Sequence, residues 1–174
     1  MKKLLVLFLA LAVCLSLVAC TSDAPVKEVG GEKTETKPTE EKKELVFGLN
    51  ETAAFSNLKF TATELKESDG ENFFTPGEGN VFVGIHFTIE NVSDKEQSVS
   101  SLMMFKAYLN DVKCDYSVSA ACVFDEGTLD GSIAPGKKLV GWYSLEVPKN
   151  WTTIELHVQN DILSDNPAKF VFTK

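Results

Sequence analysis

Residues 81–90 constrain the fold more than any other stretch. Val81, Val83, Ile85, Phe87 and Ile89 alternate there with Phe82, Gly84, His86, Thr88 and Glu90. A period of two sends successive side chains to opposite faces of a strand, so the first five form one apolar row that must be buried. The same alternation recurs in Leu58, Phe60 and Ala62, in Met103, Phe105, Ala107 and Leu109, in Ile154, Leu156 and Val158, and in Phe170 and Phe172. Turn-forming residues separate these runs. Asn110 and Asp111 both tolerate positive φ, which suits a two-residue hairpin. Pro135 and Gly136 suit a turn before the strand at 139–147, which Pro148 ends. Roughly seven to nine short strands with turns between them predict an all-β, antiparallel β-sandwich of immunoglobulin-like type. A closed barrel is the alternative architecture. A parallel α/β fold needs crossover helices, and no helix-length amphipathic window is present. Residues 117–130 follow neither period and stay unassigned.

The N-terminus is of a different kind. Met1-Lys2-Lys3 is followed by an apolar run from Leu4 to Val18, broken only by Ser16, and then by Leu17-Val18-Ala19-Cys20. This resembles the lipobox of bacterial lipoproteins, in which the Cys thiol takes diacylglycerol and the chain is cut just before it. A transmembrane anchor is the competing reading, but the run is short of the ~20 residues a span needs and lacks a basic flank on its far side. Two acyl chains give stable anchoring where one does not. Residues 21–43 carry Pro25, Pro38, a Gly pair and dense Lys and Glu, with no aromatic residue. Such a composition buries too little apolar surface to offset chain entropy. The expected organisation is therefore a signal peptide over 1–19, a lipidated Cys20 leading a disordered linker to residue 43, and one domain over 44–174. As a flexible coil the linker spans about 25–30 Å. The expected location is the extracytoplasmic face of a bacterial cell membrane, with the lipid as the membrane partner.

The chain carries 17 basic and 25 acidic residues, and every basic one is Lys. Without residues 1–19 the net charge is -10. An acidic chain without Arg is a poor partner for phosphate, which disfavours nucleic acid. Cys114 and Cys122 remain after processing, in a compartment where disulfides persist; a bridge between them is expected, with two buried free thiols as the alternative. His86 and His157 fall opposite the inward rows of their strands and read as solvated. No metal-ligand spacing includes them. Asp125, Glu126 and Asp130, near Gly127 and Gly131, and Asp69 and Glu71, around Gly70, are acidic loops without the pattern of a calcium loop. Nucleophile elbows, phosphate loops and His-Glu-x-x-His are absent, so no catalytic residue, metal or cofactor is expected. Trp142 and Tyr143 face opposite sides of one strand, so one of them is expected at the surface. Together with Phe73 and Phe74 in the loop over 67–80, they are the candidate binding patch.

Gly79-Asn80-Val81-Phe82-Val83, Ile89-Glu90-Asn91-Val92-Ser93, Leu129-Asp130-Gly131-Ser132-Ile133-Ala134-Pro135-Gly136-Lys137 and Gly141-Trp142-Tyr143-Ser144-Leu145-Glu146-Val147-Pro148 occur in that order. Together they resemble a domain of unknown function common in surface lipoproteins of monoderm bacteria. It is similar in fold to secreted immunogenic antigens with an immunoglobulin-like sandwich. The resemblance spans about residues 45–174 and brings no catalytic residue with it. The functional expectation is a lipid-anchored binding or cell-envelope accessory module for a protein or glycan ligand. The alternative is an extracytoplasmic metal-assisted hydrolase.

Overall fold

A computed structural model of the chain describes residues 25–28, 45–163 and 166–174. The expectations for the signal segment and for Cys20 lie outside the described residues.

Among the described residues twelve strands run in order β1 (Val26–Glu28), β2 (Val46–Phe47), β3 (Thr52–Ala54), β4 (Leu58–Ser68), β5 (Asn80–Asn91), β6 (Gln97–Val99), β7 (Phe105–Leu109), β8 (Val112–Cys114), β9 (Gly131–Ile133), β10 (Lys138–Pro148), β11 (Thr153–Val158) and β12 (Ala168–Thr173). Two single turns of helix interrupt them, α1 (Ser101–Met104) and α2 (Val118–Ala121). One sheet has the order β1-β3-β4-β5-β10, the other β2-β12-β11-β7-β8, and β6 pairs with β9 as a separate ribbon. The chain is thus a β-sandwich of two five-stranded sheets and not a closed barrel. Its strands outnumber the seven to nine expected, because two- and three-residue strands carry too little alternation to be read. One of them, β2, pairs with β12 in parallel.

The inward rows meet where the alternation placed them. Val81, Val83, Ile85, Phe87 and Ile89 are all in the main core, facing Phe105, Ala107, Ile154, Leu156, Phe170 and Phe172 of the other sheet. Phe105 joins the layers: its ring lies 5.3 Å from Tyr143, 5.7 Å from Phe87 and 6.1 Å from Phe60. Asn110 and Asp111 both have positive φ and close the β7–β8 hairpin as a two-residue loop.

Fully buried Asn91 explains why two of the four sequence pieces quoted above belong together. Its Nδ2 donates to the carbonyls of Lys95 and Ile133, both at 2.7 Å, and its Oδ1 accepts from the N–H and hydroxyl of Ser93. Its backbone exchanges hydrogen bonds with Gly136 and Lys137. The Asn-Val-Ser turn and the Pro-Gly-Lys turn are therefore one structural unit. Asn91→Ala orphans the buried Ile133 carbonyl and frees the turn, at about 2–3 kcal/mol. Urea unfolding measures the loss, and Asn91→Asp, which sets a buried acceptor against the Lys95 and Ile133 carbonyls, does not recover it.

Residues 26–28 depart from the disordered-linker expectation. Val26, Lys27 and Glu28 pair antiparallel with Ala54, Ala53 and Thr52. The unpaired backbone of β3 offers these residues partners that composition alone does not reveal.

Candidate functional site

The outer face of the first sheet carries the molecule's chemistry. Its rungs are Ser68–Phe82–Glu146, Lys66–Gly84–Ser144 and Glu64–His86–Trp142, across β4, β5 and β10. A large aromatic residue and a glycine on that face signal that it is covered. The cover is the stretch after β8. Tyr116 bridges to Leu145, the Ser117 N–H donates to the Ser144 carbonyl at 2.8 Å, and the Ser117 hydroxyl caps α2 by accepting from Ala120 N. The chain then returns so that the Trp142 N–H donates to the Gly127 carbonyl at 3.0 Å. Phe82, Ala120, Phe124 and Trp142 form a second apolar cluster outside the main core. Phe124 stacks on Trp142 at 5.2 Å. A Cβ at Gly84 would stand 2.8 Å from the Trp142 ring, so only glycine admits this packing. The same crossing occupies the free edge of β10.

This arrangement corrects three expectations. Trp142 is 5% exposed and Tyr143 2%, one inside each cluster, so neither belongs to a surface patch. Cys114 and Cys122 are free thiols. Cys114 is half-buried on β8, with Sγ near the Asp115 and Glu146 carbonyls, and burial pushes its thiol pKa up. Cys122 is exposed at the end of α2, on the segment that leaves the second sheet to cover the first. The histidines are half-buried and partnered, not solvated. His157 Nε2 pairs with Glu155 at 2.6 Å. His86 Nδ1 meets the Thr63 hydroxyl at 2.5 Å and its Nε2 meets Glu126 at 2.7 Å.

The His86 row ties the cover down. Thr63 is the extra residue at the register shift between Ala62 and Glu64, a β-bulge that re-aims its side chain. Glu126 reaches the ring from a backbone with φ of 68°. Both imidazole nitrogens are engaged, which fixes the covering loop to β4 and β5. None of these partners could be read from sequence, since 23 and 40 residues separate them from His86.

Beside this row lies an open cleft of about 560 Å³, with Trp142 and Phe124 at its base and Glu64, Glu71, Asp125 and Glu126 around it. The Lys66 ammonium stands 6.0 Å from the Trp142 ring centre. Acidic walls over an aromatic base favour cationic groups and repel phosphate. Asp130 is used structurally, its carboxylate accepting from the N–H and hydroxyl of Ser101 at 2.9 Å each. Among the described residues no three His, Cys, Asp or Glu side chains are arranged to hold a metal ion. His86 and His157 lie on different sheets and share no site.

Next to the cleft, a hairpin presents the remaining aromatic candidates. Glu71 and Phe74 exchange backbone hydrogen bonds of 2.9 Å, and Gly70 N–H donates to Ser68 Oγ. Phe73 at its tip is 98% exposed and Phe74 40%.

At the end of the sandwich Glu67 accepts from Trp151 Nε1 at 2.6 Å and from Lys174 Nζ at 2.7 Å. The hydrogen bond from Lys174 chiefly, with that from Trp151, holds its carboxyl below the ordinary range against a burial effect in the other direction. The unfolded chain therefore binds this proton more readily than the folded one. The stabilisation is present above the ordinary glutamate range near pH 4.5 and is lost as the pH falls through the lowered folded value. In Glu67→Gln the unfolding free energy falls less steeply below that pH, which urea unfolding at pH 3 and pH 7 measures.

Residues 47–169 match the model of a domain of unknown function, DUF4352. The chain belongs to the DUF4352 family. The Asn91 unit, the cover over Trp142 and the cleft all lie within the DUF4352 stretch. Among solved structures, a conserved hypothetical protein from Bacillus anthracis is 17% identical with a TM-score of 0.54, covering 71% of this chain and 94% of its own. An uncharacterised β-sandwich protein from Clostridium difficile is 18% identical with a TM-score of 0.52, covering 79% and 99%. A candidate lipoprotein from Bacillus subtilis is 16% identical with a TM-score of 0.54, covering 68% of this chain and 36% of its own. At these identities the likeness shows the sandwich fold alone. No curated protein matches the chain.

Proposed function

We propose that the chain is a lipid-anchored extracytoplasmic lipoprotein whose DUF4352 sandwich is a binding or cell-envelope accessory module. Cys20 supplies the membrane partner, and a protein or glycan ligand meets the outer face of the first sheet. The observation that carries the binding role is Phe73. A phenylalanine 98% exposed on a hydrogen-bonded hairpin beside the molecule's acidic cleft has no role in the fold. Held in place beforehand, it loses little entropy on burial in a partner. Anchoring is supported by the Leu17-Val18-Ala19-Cys20 sequence. The fold likeness to a candidate lipoprotein agrees with it. We infer no catalysis, since the sequence carries no nucleophile elbow, phosphate loop or His-Glu-x-x-His motif.

Cys20→Ser blocks lipidation and processing, so the chain takes up no radiolabelled palmitate and keeps residues 1–19. Phe73→Ala in the mature chain leaves stability within about 0.5 kcal/mol, as surface changes do, yet lowers its binding to isolated cell envelopes about tenfold. Equal binding by both chains contradicts the role given to Phe73.

A further inference from the structure

The linker is not merely a spacer, because part of it is docked on the domain. Val26–Glu28 adds a fifth strand to the first sheet along β3. The register is specific, with Val26 opposite Ala54 and Lys27 opposite Ala53. Two side-chain features fix it. Pro25, which enters the strand, is buried. Lys27 forms an ion pair with Glu51, whose other oxygen accepts the Gly48 N–H at 2.8 Å. Docking is nevertheless shallow. Val26 remains 58% exposed, and neither it nor Lys27 enters the main core. Three residues on a sheet edge, held among the described residues by Pro25, one ion pair and backbone hydrogen bonds, can leave without disturbing the two packed layers.

We propose that Val26–Glu28 is a releasable strap on the β3 edge that sets how far the sandwich travels from its lipid. The membrane consequence rests on the Cys20 anchoring reading; the pairing does not. With the strap docked, five residues lead from Cys20 to Pro25, a reach of at most about 18 Å. With it released, twenty-five residues lead from Cys20 to Leu45, a reach of at most about 90 Å. Release also bares the β3 edge to another extended strand.

The test places cysteines at Val26 and Ala54 in the full mature chain, with Cys114→Ser and Cys122→Ser. Directly opposed strand residues lie within the span of a disulfide. The Val26→Cys/Ala54→Cys pair should oxidise at least tenfold faster than a Val26→Cys/Lys66→Cys control. Adding Lys27→Glu, which opposes Glu51, should slow it several-fold, and further adding Glu51→Lys should restore it. On vesicles with energy-transfer acceptors in the bilayer, the oxidised chain should sit nearer the surface than the reduced Lys27→Glu chain. Oxidation no faster than in the control, or equal heights for the two forms, overturns the strap. Fast oxidation in a chain that does not join vesicles supports the strap and overturns the anchoring reading.

Discussion

Phe105→Ala lowers the unfolding free energy by about 3–5 kcal/mol. Phe105 belongs to the second sheet, yet its ring packs on Tyr143, Phe87 and Phe60 of the first, at 5.3, 5.7 and 6.1 Å. Truncation leaves a ring-sized void where the two layers meet, bounded by side chains that are themselves 0–2% exposed and held by their strands. Such a site collapses poorly, which puts the cost towards the upper end. Domains of this size are stable by only about 5–15 kcal/mol, so the variant is near its threshold. Urea unfolding followed by tryptophan fluorescence measures the effect as a lower midpoint at unchanged slope. A loss below 1 kcal/mol would mean that the sheets are not joined through this ring.

Trp142→Ala has an effect of similar size, about 3–5 kcal/mol, but distributed differently. Trp142 sits in the outer cluster with Phe82, Ala120 and Phe124, which the segment over 117–128 closes. Removing the indole takes the stacking partner from Phe124 and the His86 ring contact at 4.8 Å. It leaves the inward rows untouched. Hydrogen exchange should therefore show residues 117–128 opening as a unit, at lower free energy than β5 and β11. Equal loss of protection across all strands would contradict the existence of two separable clusters. Phe124→Ala should open the same segment, since it removes the other half of the stack.

The inward faces were legible because burial on one side of a strand writes itself into the alternation. The row from Val81 to Ile89 and the paired positive-φ residues Asn110 and Asp111 are examples. The outer face was less so. Phe82 and Gly84 in the outward row were a signal that something covers it, but the covering stretch follows no period. It is held by a helix cap at Ser117, backbone bridges to β10 and the His86–Glu126 contact, all set by tertiary packing. For the same reason the sequence places Trp142 in a surface patch, whereas the covering stretch leaves it 5% exposed. Phe73, by contrast, is exposed, in a stretch whose glycines and acids predict a loop. Composition also hid β1, because a three-residue edge strand in a Lys- and Glu-rich segment depends on the partner it meets.

The anchoring of the domain at Cys20 is tested most directly by mass spectrometry of the N-terminal peptide of the mature protein taken from cells. The expected result is a chain beginning at Cys20, heavier than its sequence by the mass of a thioether-linked diacylglycerol. A chain that begins elsewhere, or a Cys20 that carries no lipid, contradicts it.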